Sequence, residues 1–386
     1  DKVIDRSGTS AEKVEGLKHI WGRTDLIPLW VADMDFATAP FVTDAIRKRC
    51  ENEVLGYTGK PDSYYNAIIN WVKQRYDLIV TKEVINFVPG IVPGIGMAMN
   101  CFTQKGDKVM IQPPVYHPFA WVTTRNERTL VINPLRWENG MYRMDLDAFR
   151  EQIKGCKLFI LCNPHNPGGV VWTEAELRAI ADICYDEKVL VFSDEIHADL
   201  TLPPHTHRPF ATVSEKARMN SVTFMSPSKA FNMPGLSASH ALIFNEDLRK
   251  RFRIYMDAGE LDMGHVFAFL SVEAAYSHGT EWLDQCLAYI QGNIDFVDEF
   301  LKKHAPKIKA IRPEASYLVW LDCRELELSQ KDLNEFFVDK AHLALNDGEM
   351  FGKEGIGFMR LNVASPRCII EKAMKQLADA YQLYIK

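Results

Sequence analysis

Several things are missing from this sequence, and each absence excludes a class of function. The chain has 386 residues and nowhere approaches the ~20 consecutive apolar residues that a membrane helix needs. No charged-then-apolar leader follows Asp1-Lys2-Val3, so the expectation is a cytoplasmic protein with no membrane contact. The formal net charge is only −6, and Lys and Arg are dispersed rather than massed on one segment, which argues against nucleic acid or an anionic membrane as partner. The eight cysteines have no C-x-x-C spacing and read as buried thiols of a reducing compartment. Neither G-x-G-x-x-G nor Gly-Lys-Ser/Thr occurs after a glycine turn, so no dinucleotide fingerprint or P-loop is present. Internal repeats and low-complexity linkers are absent too. Pro203-Pro204-His205-Thr206-His207-Arg208-Pro209 brings two histidines close, but no Cys or carboxylate stands at ligand spacing, so the expectation is a proline-stiffened loop and no metal.

What is present is a large apolar fraction, 47% of residues with 11% aromatic, enough for an ample core and two domains. From Asp107 onward short apolar runs alternate with amphipathic stretches. Strands are expected at residues 84–88, 108–112, 128–132, 158–162, 189–193, 221–225 and 241–244, and helices at 118–126, 146–154 and 173–187. That alternation predicts an α/β fold with a mostly parallel sheet covered by helices, whose ligands bind beyond the carboxyl ends of the strands. The residues just after the strands are therefore the ones to inspect. They are Pro89-Gly90-Ile91-Val92-Pro93-Gly94, Pro113-Pro114-Val115-Tyr116-His117, Asn163-Pro164-His165-Asn166-Pro167, Asp194-Glu195-Ile196-His197 and Ser226-Pro227-Ser228-Lys229-Ala230-Phe231-Asn232.

Each of these has a structural and a functional reading. A strand, a Gly/Pro turn and a helix point backbone N–H groups and a helix dipole at one place, which makes an anion site with Ile91 and Val92 as donors; such turns are also plain connectors. An Asn before Pro is usually a turn, and an Asp at a strand end usually a cap. A lysine between two serines is usually a capped turn, yet at the end of a buried strand desolvation favours its neutral, nucleophilic amine. Ile27 to Phe36 reads either as a loop in which Asp33 and Asp35 cap their own backbone or as the wall of a substrate cleft. Tyr57 stands between Gly56 and Gly59 in a turn from which it either packs locally or reaches a neighbouring site.

Taken together, Asn-Pro-x-Asn-Pro-x-Gly, Ser-Asp-Glu-Ile-His and Ser-Pro-Ser-Lys-x-Phe-Asn resemble, in order and spacing, the fold type I pyridoxal-phosphate enzymes, the aspartate aminotransferase superfamily. Trp30-Val31-Ala32-Asp33-Met34-Asp35-Phe36, Pro113 to Phe119 and Gly357 to Arg367 resemble its MalY/PatB group of cystathionine β-lyases. The likeness runs from about Trp30 to the C-terminus. It implies a seven-stranded large domain at residues 46–280 and a smaller α+β domain from residues 1–45 and 281–386. It implies pyridoxal 5'-phosphate as cofactor, bound to Lys229 as a Schiff base, with Lys229 also moving the substrate's α-proton. Asp194 is implied to pair with the pyridine nitrogen, Asn166 and His197 with the phenolic oxygen, and Tyr116 to stack on the ring. Ile91, Val92, Ser226 and Ser228 are implied to hold the phosphate, with Tyr57 reaching across from the second subunit of a homodimer. Arg360 is implied to grip the substrate carboxylate, and Ala32 to line the substrate site.

Two departures from the family pattern stand out: Ser237, eight residues after Lys229, where many relatives carry a phosphate-binding arginine, and Gly168-Gly169-Val170, where a basic residue is commoner. The first is shared by the lyase group. The implied reaction is cleavage of cystathionine or related cysteine S-conjugates to a thiol, pyruvate and ammonia. The alternatives are an aminotransferase and a regulator that binds a transcription factor with incidental lyase activity.

Overall fold

The expected alternation is realised in a computed structural model that describes residues 2–384. Seven strands form one sheet: β1 (Ile85–Val88), β2 (Lys108–Ile111), β3 (Thr129–Ile132), β4 (Cys156–Cys162), β5 (Leu190–Asp194), β6 (Ser221–Met225) and β7 (Ser239–Leu242). Their spatial order is β1-β7-β6-β5-β4-β2-β3. All neighbours are parallel except β7, which runs antiparallel to both β1 and β6. The near-continuous burial of β1, β4, β5 and β6 follows from helices covering both faces, as expected for a parallel sheet. Because β7 alone is reversed, its beginning lies at the same edge as the carboxyl ends of β1 to β6. One edge therefore collects seven chain segments.

Sequence patterns located most elements to within two residues. The helix expected over 173–187 is Glu174–Asp186, started by a capping box in which Thr173 and Glu176 each bond the other's backbone N–H. The strand expected at 241–244 is displaced to Ser239–Leu242. No expectation covered the helix Glu12–Trp21, the hairpin strands Arg136–Glu138 and Met141–Arg143, or the two-residue strand Ile27–Pro28 paired in parallel with Leu343–Ala344. Such pieces are too short for a hydrophobic period to register.

A second sheet of four antiparallel strands contains Phe358–Asn362 between Leu318–Asp322 and Asn346–Asp347, which sets Arg360 in register opposite Trp320 on one side and Asn346 on the other. The helix Thr280–His304 runs for 25 residues with a buried stripe of Leu283, Leu287, Ile290, Ile294, Val297 and Leu301. No helix among the described residues is long and apolar enough to cross a membrane.

Helix Ile91–Phe102 sits very close to the sheet. A Cβ at Gly94 would come within 2.9 Å of a Val88 methyl and 3.2 Å of the Phe224 ring. Gly94→Val is therefore expected to push the start of this helix off the sheet and lower the unfolding free energy by about 1–3 kcal/mol, read by denaturant titration.

Candidate active site

At the edge where the segments converge there is a cavity of about 210 Å³ lined by Ala32, the Pro89–Pro93 turn, Tyr116, Cys162, Asn166, Asp194, Ile196, His197, Ser228, Lys229 and the Pro234–Ser239 stretch. Of the residues singled out in the sequence, nine line it directly: Ala32, Ile91, Val92, Tyr116, Asn166, Asp194, His197, Ser228 and Lys229. Arg360 is the next layer, and its Nη1 donates to Asn166 Oδ1 at 3.0 Å. Ser226 lies behind the wall, where its hydroxyl bonds Ala238 O and accepts from the Ser228 N–H, so it supports Ser228 rather than facing the cavity. Tyr57 is elsewhere: it is 97% exposed, on an irregular stretch that also exposes Val54 and Leu55.

Part of the lining has the donors that suit an anion. Helix Ile91–Phe102 begins at the wall after Gly90, whose φ of 149° suits glycine. The first turn leaves the Ile91 and Val92 N–H groups without intrahelical acceptors and points the positive end of the helix dipole inward. Hydroxyl groups of Ser228, Ser237 and Ser239 stand on the same lining, and no arginine does.

The lining also carries charge. Asp194 ends β5 and is 3% exposed; burial raises its carboxyl to about 7, with the Ile196 N–H pulling the other way. The Lys229 amine is lowered to about 8, first by burial and then by the charge of Arg360. Its Nζ donates to Ala32 O at 2.5 Å, a carbonyl that also accepts the Tyr317 hydroxyl at 3.0 Å. Arg360 is 3% exposed and held by Asn166, by Trp30 O at 3.1 Å and by Asn346 Oδ1 at 2.5 Å, with the Phe351 ring 4.8 Å away. Its Nε is buried without an acceptor, and so is Nδ1 of His197, a ring held neutral by burial. An amine of lowered basicity and a buried carboxyl thus face one volume that also offers backbone N–H donors, with a fixed guanidinium directly behind its wall.

Sequence reasoning missed much of the support. Asp33 and Asp35 do not cap their own backbone as one reading had it; their carboxylates are ion-paired with Arg6 and Lys13. Asn232, quoted only as part of a motif, bonds Met34 N, Met34 O and Phe36 O and so ties the lysine loop to this segment. Asn362 does the same from the Arg360 strand through Val31 O and Asp33 O. Behind Asp194, Glu195 is 1% exposed and accepts His207 Nε2 at 2.8 Å, the Phe210 N–H and the Ser193 hydroxyl. The histidine loop at residues 203–209 did have a carboxylate partner, but one that only folding brings near. Among the described residues no group of three or more potential ligands is placed to hold a metal ion.

Comparison with known proteins places this geometry in context. A family model for aminotransferase class I and II matches residues 24–377. Cystathionine beta-lyase PatB of Bacillus subtilis is 37% identical, over 98% of this chain and 99% of its own. Among solved structures, cystalysin from Treponema denticola, which contains a pyridoxal 5'-phosphate cofactor, superposes with a TM-score of 0.95 at 33% identity, covering 99% of this chain and 98% of its own. The PLP-bound C-S lyase from Staphylococcus hominis gives 0.90 at 34% identity, covering 98% and 97%.

Proposed function

The chain belongs to the aminotransferase class I and II family, and from that membership we propose that the cavity around Lys229 is the active site of a pyridoxal-5'-phosphate-dependent carbon-sulfur β-lyase. The observation that carries the reaction class is the end-to-end likeness to PatB, a cystathionine β-lyase. The substrate class is cystathionine or related cysteine S-conjugates, and the products are a thiol, pyruvate and ammonia, with one water consumed.

The residues present fit the cofactor. The N–H groups of Ile91 and Val92 with the Ser228 hydroxyl suit its phosphate, Tyr116 its ring face, and the unpartnered His197 Nδ1 with Asn166 its phenolic oxygen. Asp194 suits its ring nitrogen, because a cationic partner there relieves the burial that otherwise protonates this carboxyl. When bound, pyridoxal phosphate draws electrons from the Cα of an attached amino acid, easing loss of the α-proton and of a leaving group on Cβ.

The protein's own groups do the rest. Lys229 would hold the cofactor through Nζ, and its amine, once freed by the substrate amine, would be placed to take the α-proton. With the amine lowered from its ordinary value to about 8, a larger share of it than of a surface lysine is neutral near physiological pH and able to accept that proton. Arg360 orients the substrate through its carboxylate, a task for which a planar guanidinium is suited. A sulfur substituent on Cβ would then leave with the C–S electron pair as a thiolate and take up one proton to give the thiol.

An aminotransferase would use the same residues, so the test is co-substrate dependence. Purified holoprotein incubated with cystathionine and no 2-oxo acid is expected to release thiol, pyruvate and ammonia in equal amounts. Amino transfer that requires a 2-oxo acid, with no thiol released, would overturn the lyase reading.

The proposal extends to a homodimer in which Tyr57 reaches the phosphate end of the second copy's cavity. The support is its exposure of 97%, beside Val54 at 71% and Leu55 at 59%, a combination that suits burial against a partner. Co-expression of Tyr57→Ala with Lys229→Ala chains is expected to restore about a quarter of wild-type activity. Half the dimers would be mixed, each with one intact site. Activity no greater than that of the two variants assayed separately would contradict a shared site.

A further inference from the structure

We propose that Lys13 and Arg6, far in sequence from the catalytic groups, are positioning residues: they fix the segment Trp30–Asp35 and balance its charge, and through it hold both Lys229 and Arg360. The inference rests on the reading of Lys229 as the cofactor-bound lysine.

Lys13 is completely buried, an unusual place for a lysine, which stays there only when paired. Its ammonium lies 2.8 Å from an Asp35 oxygen, 3.5 Å from Asp33 Oδ1 and 3.3 Å from Asp33 O. Arg6 spans the same two carboxylates, at 2.6 Å to Asp33 and 3.0 Å to Asp35. Two cations thus meet two anions, and the cluster is neutral. The helix that carries Lys13 also packs directly on this segment. Trp30 Nε1 donates to Lys13 O at 3.0 Å, and a Cβ at Gly16 would lie only 3.0 Å from the Trp30 ring.

Two carbonyls of the clamped segment face inward. Trp30 O accepts from Arg360 Nη2 at 3.1 Å and Ala32 O accepts from Lys229 Nζ at 2.5 Å. Uncharged ties hold the same segment from the other side: Asn232, Asn362 and the hydroxyls of Tyr317 and Ser365, the last bonded to Asp35. The charged groups that act on Lys229 are Asp33, Asp194 and Arg360. Only Asp33 belongs to the clamp, so Lys13 and Arg6 determine how much of its negative charge the lysine nitrogen feels.

Removing one clamp cation should leave net negative charge beside that nitrogen and favour its protonated form. In Lys13→Met holoprotein the pH midpoint of the visible band of the Lys229-linked cofactor is expected to rise by about one unit. The substrate KM is expected to rise more than kcat falls, because Arg360 loses a fixed partner. Arg6→Gln, on a side chain 23% exposed, is expected to move the midpoint in the same direction by less, and it carries the test if Lys13→Met does not fold by circular dichroism. Lys13→Met combined with Asp35→Asn restores neutrality and should bring the midpoint back. Unchanged midpoints in folded single variants, or a double variant displaced as far as the single, would overturn the inference alone. A wild-type protein that takes up pyridoxal phosphate without a visible band overturns the cofactor reading and the inference with it.

Discussion

Lys229→Ala is expected to abolish thiol release from cystathionine, with a loss of more than about 10⁴-fold in kcat, together with the visible chromophore. Two functions fall with one amine, the covalent link and the proton transfer, and nothing nearby replaces it. Lys229 is the only lysine on the cavity lining. Asp194, Asn166 and His197 are held by the sheet edge rather than by Lys229, so the fold and the cofactor's non-covalent seat should survive. Far-UV circular dichroism of the variant should match wild type, and the ring should still bind. The measurement is single-turnover product formation beside an absorbance spectrum. Thiol release within tenfold of wild type would remove Lys229 from the reaction.

Arg360→Lys should be the next most damaging change, although it keeps the charge. Arg360 reaches Asn166, Asn346 and Trp30 O with two different nitrogens, and its plane lies against Phe351. A lysine ammonium can neither fork in this way nor stack. The expected loss is about 10²–10³-fold in kcat/KM, carried mainly by KM, because the guanidinium binds the carboxylate before and during reaction. A loss that falls only on kcat would argue instead for a role in the chemical step.

How far the sequence foretold this depends on the range of the interaction. Strand ends are local features, so Tyr116, Asn166, Asp194, His197 and Lys229 could be gathered on one edge from the alternation of runs alone, and the structure places all five on one cavity. Their roles came from resemblance, since an Asp at a strand end has many uses. The clamp was not legible. Lys13 sits in a helix of sequence EKVEGLKHIW, where one lysine among charged residues reads as a solvated face. Its partners, 20 and 22 residues further on, are reached only after the helix folds back over Trp30. The pairing of Glu195 with His207 was hidden for the same reason. Arg360 was legible as a strand residue within its motif, but its fastening to Trp30 O spans 330 positions, which no local pattern encodes. Ser226, to which the resemblance gave a phosphate contact, bonds Ala238 O behind the wall, a long-range contact that its motif does not encode.

The proposed chemistry depends on Lys229 being the residue that bonds the cofactor inside this cavity. Borohydride reduction of the holoprotein, proteolysis and mass spectrometry of the peptides test it directly. The expected result is one phosphopyridoxyl-lysine per chain, on the peptide Ser226-Pro227-Ser228-Lys229-Ala230-Phe231-Asn232. Stoichiometric label on any other lysine, with Lys229 unmodified, would contradict it.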